Sequence, residues 1–142
     1  MTATVQESVG KVQKILRVWE KITKRLPRTY PRASLVFHAD EKRLMEYFFV
    51  FYECSDEERN NPPYAFCDAN TNTVHVHTTM AECPIREIAG YLLHEIGHLR
   101  AFQKYGDNDP RAHDPNEKVD EAYACRFSSR WVSRLCKEGS LR

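Results

Sequence analysis

With 142 residues, 42% of them hydrophobic and 29% charged, the chain has the composition of one ordinary globular domain long enough to bury a core. Its formal net charge of +1 points to no particular class of partner, and no run of apolar residues is long enough to span a membrane. Five cysteines, an odd number with no C-x-x-C pair, argue against a disulfide framework or a cysteine zinc site. Free thiols, a reducing cytoplasmic compartment and no secretory leader are the corresponding expectations.

In chain order, Val5, Val9, Val12, Leu16, Trp19, Ile22 and Leu26 recur at three- and four-residue steps and predict an amphipathic helix, ended by Pro27 and Pro31. This segment is basic. Residues 1–32 hold eight Lys and Arg against Glu7 and Glu20, a net of +6, whereas residues 40–59 carry a net of −4. Such a face suits nucleic acid or an acidic partner, although a solvated helix face has the same pattern and only Trp19 interleaves with the cations. Residues 33–38 and 45–53 read as strands, with a charged loop over 55–63. Residues 64–68 and 73–78 read as a hairpin around Ala69-Asn70-Thr71-Asn72, since Asn tolerates the positive φ of tight turns. A helix follows over 84–105, with Pro84 at its first position and Ile85, Ala89, Leu92, Ile96 and Leu99 as its apolar stripe. A polar loop over 107–115 leads to a last helix over about 116–137.

The 84–105 helix carries His94-Glu95-Ile96-Gly97-His98. On a helix, residues four apart share a face, so the two imidazoles can converge on one metal ion. The intervening Glu95 is placed to act as general base on a water at that metal. Two imidazoles and a carboxylate suit zinc, and the pattern is the H-E-x-x-H signature of zinc metallopeptidases. A third protein ligand is needed. Glu121 in the last helix and His113 in the preceding loop are the two main candidates, with Glu117 and Asp120 as lesser ones.

The run Glu121-Ala122-Tyr123-Ala124-Cys125-Arg126-Phe127-Ser128 resembles the second motif of gluzincin-type zinc peptidases, in particular the small ImmA/IrrE-like domains, over residues 64–130. That resemblance implies Glu121 as third ligand, Ala124 as the small packing residue and Phe127 as the packing aromatic. It puts Cys125 where the family has an Asp or Asn that orients a histidine ligand. It further implies one Zn2+ per chain and an intracellular endopeptidase acting on few proteins, a regulatory protein among them. The expected fold is α+β, a minimal zincin-like metalloprotease fold. It would comprise a small antiparallel sheet with an N-terminal helix (1–30), and a core (64–137) with a central and a C-terminal helix. The distance from His98 to His113 also resembles that of SprT-like metallopeptidases, which act on proteins crosslinked to DNA, and would make nucleic acid a partner. Tyr123, Tyr91 and Arg126 are candidates for stabilising an oxyanion. His75 and His77, two apart on one strand, share a face, and their strand is the expected edge for an extended substrate. The alternative class is a catalytically silent metalloprotease-like binding module.

Overall fold

The structure, a computed structural model, describes residues 2–38, 65–105 and 118–141. Its elements are α1 (Thr2–Arg25), β1 (Ser34–His38), β2 (Ala65–Asp68), β3 (Thr73–His77), a short 3₁₀ helix (Thr78–Glu82), α2 (Ile85–Tyr105) and α3 (Lys118–Lys137). This is a mixed α+β architecture, as the sequence predicts. The strand expected over 45–53, the loops over 55–63 and 107–115 with His113, and also Glu117, lie outside the described residues.

The hairpin forms where expected. The Asp68 carboxylate accepts the Asn70 N–H at 3.0 Å, and Asn72 takes the left-handed conformation (φ 51°) that closes the turn into β3. The sheet, however, is not purely antiparallel. β3 lies in the middle, antiparallel to β2 and parallel to β1, with Leu35 beside Val74 and His38 beside His77. A parallel neighbour needs a long crossover, and the chain between β1 and β3 is long enough to provide one. Both sides of β3 are thus occupied, so it is not the edge expected for an added substrate strand.

One face of the sheet, with Ala65, Cys67, Val74 and Val76, joins the main core formed with α1, the 3₁₀ helix and α2. The stripe of α1 that faces this core is Ile15, Val18, Trp19, Ile22 and Leu26. It differs from the expected one: Leu16 is exposed, and Val9 is 50% exposed. Two helical stripes interleave in this sequence, and contact with the 3₁₀ helix selects the one through Ile15 and Val18. Lys14 fixes that choice by donating to the carbonyls of Ala81 (2.7 Å) and Cys83 (3.1 Å).

α2 is buried on more than one side, through Ile88, Ala89, Leu92, Leu93, Ile96, Leu99 and Ala101, while Ile85 at its start is exposed. Its first hydrogen bond runs from Ile88 N–H to the Pro84 carbonyl at 3.0 Å, so Pro84 caps the helix rather than opening its first turn. α3 lies along α2 with Ala124, Phe127, Trp131 and Leu135 buried. It ends in a Schellman turn, in which Ser140 N–H donates to Leu135 O (2.9 Å) around Gly139 at φ 75°. Among the described residues, no helix is long and apolar enough to cross a membrane.

Candidate metal centre

The centre of α2 carries His94 and His98 one turn apart, both half-buried. Their Nε2 atoms stand 3.2 Å from each other, with the rings nearly perpendicular at 80°. Two nitrogens bound to one tetrahedral zinc at about 2.05 Å are about 3.3 Å apart, so the pair already has the spacing of a shared ion. Without a metal, the same spacing serves an N–H···N hydrogen bond. Glu95 completes the group: ligand atoms of His94, Glu95 and His98 all lie within 4.8 Å of one another. No other cluster of this kind occurs among the described residues. The group could therefore hold a metal ion.

What lets α3 reach this group is the glycine inside the motif. A Cβ built on Gly97 would stand 3.0 Å from the Ala124 Cα and 3.2 Å from the Phe127 Cβ. Carbon atoms prefer about 3.5–4.0 Å, so any side chain here would push the two helices apart by a few tenths of an ångström. Farther along the crossing, Ser128 Oγ donates to the Gly90 carbonyl at 2.8 Å. Between these two contacts Cys125 meets His94, its Sγ 3.9 Å from Nδ1. A metal-bound histidine donates its second N–H to an orienting acceptor, and Cys125 stands at that point. A sulfur at this distance is a weak acceptor, weaker than a carboxylate at the same point would be. Glu121 lies on α3 one turn before Cys125; its side chain is outside the described residues.

The other candidate residues scatter. Tyr91 lies one turn before His94 and is 40% exposed, and burial, then Cys83 and Glu87, raise its pKa. Tyr123 packs instead against the core, stacked on Phe127 at 6.4 Å between ring centroids. Arg126 is exposed. His75 and His77, at 7% and 5% exposure, are buried on the second face of the sheet and do not join the His94 group. His75 stacks on Phe66 at 4.7 Å, and its Nδ1 is 2.9 Å from Nε2 of His38. Burial first, then His38, lowers the His75 pKa, with Asp68 acting in the opposite direction. The His77 Nδ1 accepts the Thr79 N–H at 3.1 Å, and its buried Nε2 has no hydrogen-bond partner among the described residues. These two residues build the interior of the sheet rather than a substrate edge.

The cysteines expected as free thiols are so at the described positions: Cys67 is buried, Cys83 and Cys136 are half-buried and Cys125 is exposed. The basic helix is less available than its charge suggests, because Lys11 pairs with Glu82 at 3.7 Å, Arg25 with Glu138 at 2.7 Å, and Lys14 is tied to carbonyls. Sequence reasoning missed the role of Gly97, and no local signal distinguishes it from any other helical glycine. No protein-family profile, curated protein or solved structure matches the chain.

Proposed function

We propose that the chain is a zinc-dependent hydrolase of peptide bonds, with His94 and His98 as metal ligands and Glu95 as general base. The observation that supports this reading is the 3.2 Å separation of the two Nε2 atoms with a carboxylate beside them. Zinc held there supplies Lewis acidity toward a carbonyl oxygen and makes a water molecule easier to deprotonate. Glu95 takes the proton of the attacking water and passes it to the departing amine. Cys125 limits rotation of the His94 ring through Nδ1, and Gly97 keeps α3 close enough for it to do so. Glu121 is the proposed third ligand, and His113 is the competing one. Tyr91, on the His94 side of α2, is better placed than Tyr123 to donate to a developing oxyanion.

The test is zinc content per chain, measured with hydrolysis of fluorescently labelled casein. Wild type is expected to hold one zinc, His94→Ala and His98→Ala to lose it, and Glu95→Gln to keep the metal while losing hydrolysis. Loss of zinc in Glu121→Ala but not His113→Ala identifies the third ligand; the opposite result moves that role to His113. Wild-type protein prepared without chelator that contains no zinc would overturn the proposal.

A further inference from the structure

The loop joining α1 to β1 is held more firmly than a connection of its length requires. Gln103 of α2 donates to the Thr29 carbonyl at 2.9 Å, and Asn72 of the hairpin turn donates to the Arg32 carbonyl at 2.8 Å. Tyr30 N–H closes back on Pro27 O at 3.1 Å. The Arg100 guanidinium lies 4.5 Å above the Tyr30 ring and donates to Gln103 at 2.6 Å. Between this loop, the hairpin turn and the end of α2 is a cleft of about 470 Å³ whose lining includes Arg28, Arg32 and Phe102. Arg28 and Arg32 are exposed, and neither pairs with a carboxylate among the described residues. Two guanidinium groups on a braced loop, with no carboxylate partner among the described residues, make an anion-accepting cleft.

We propose that this cleft binds an acidic polypeptide segment, with Arg28 and Arg32 receiving its carboxylates. The planar fork of arginine matches a carboxylate through two parallel hydrogen bonds. A volume of this size suits a few side chains and not a duplex. Single-stranded nucleic acid is disfavoured on two grounds. The Tyr30 ring carries Arg100 and packs against Phe127 (5.7 Å) and Trp131 (6.2 Å), so it offers no free platform for a base. Three cations of α1 are also engaged within the fold, which breaks any continuous basic track. Phe102 lies one turn beyond His98 on the same side of α2, so a segment in the cleft adjoins the metal-ligand face. Its binding does not depend on the hydrolase reading; its service as a substrate subsite does.

The experiment is fluorescence anisotropy with a labelled glutamate-rich peptide, its glutamine counterpart and labelled oligothymidine. The glutamate peptide is expected to bind about tenfold more tightly than the glutamine one, with the preference shrinking as salt is raised. Combining Arg28→Ala with Arg32→Ala should abolish the preference, as should the milder Arg28→Gln with Arg32→Gln, whereas Arg17→Ala on the exposed side of α1 should not. The Glu95→Gln protein should bind like wild type, so that failure of hydrolysis and failure of this site are read separately. Equal binding of the two peptides, a preference that survives loss of both arginines, or tighter binding of oligothymidine would overturn the proposal.

Discussion

Two glycines on α2 should respond differently to the same substitution. In each case alanine gains about 1 kcal/mol of helix propensity over glycine. At Gly90 the added methyl would meet Ser128 Oγ at 3.9 Å and Val132 Cγ2 at 4.0 Å, ordinary van der Waals contacts. Gly90→Ala is therefore expected to stabilise by up to about 1 kcal/mol. At Gly97 the methyl would stand 3.0 Å from the Ala124 backbone, and a backbone atom cannot rotate aside. Relief requires α2 and α3 to separate by about 0.5 Å, an overpacking cost of about 1–3 kcal/mol that cancels or exceeds the propensity gain. The difference between the two variants is that overpacking cost, or about 3–10 °C in melting temperature for a domain of this size. Circular dichroism melts and urea titrations measure it. If Gly97→Ala proves as stable as Gly90→Ala, the close crossing is not a constraint and the account of how Cys125 reaches His94 fails.

Other consequences follow from the same contacts. On the proposed zinc reading, Cys125→Asp supplies a carboxylate for the His94 N–H and should tighten zinc about tenfold or more, as measured by competition with a chromogenic chelator. Ser128→Ala leaves the Gly90 carbonyl without its second donor and should cost about 1 kcal/mol in urea unfolding, with zinc content unchanged. His75, its pKa lowered in the fold, takes up a proton less readily folded than unfolded, where the value is 6.5. Its contribution to stability is intact above that value and is lost as pH falls below it toward the folded-state pKa. The unfolding free energy of wild type should therefore drop more steeply than that of His75→Gln between about pH 7.5 and 5; parallel curves would contradict this.

The sequence by itself determined what depends on short windows. The helix over 84–105, the hairpin around Asn72 and the i, i+4 placement of His94 and His98 all follow from periodicity and turn chemistry within a few residues of each site. Only the tertiary structure decided the parallel pairing of β1 with β3, which put His75 and His77 inside the fold on a central strand. It likewise selected the α1 stripe through Ile15 over the one through Leu16, gave Gly97 its role at the crossing, and assembled the Arg28 and Arg32 cleft from three separate segments. Hydrogen-bonded periodicity is fixed by neighbours in the chain, whereas which faces meet depends on the burial and close packing of segments far apart in sequence.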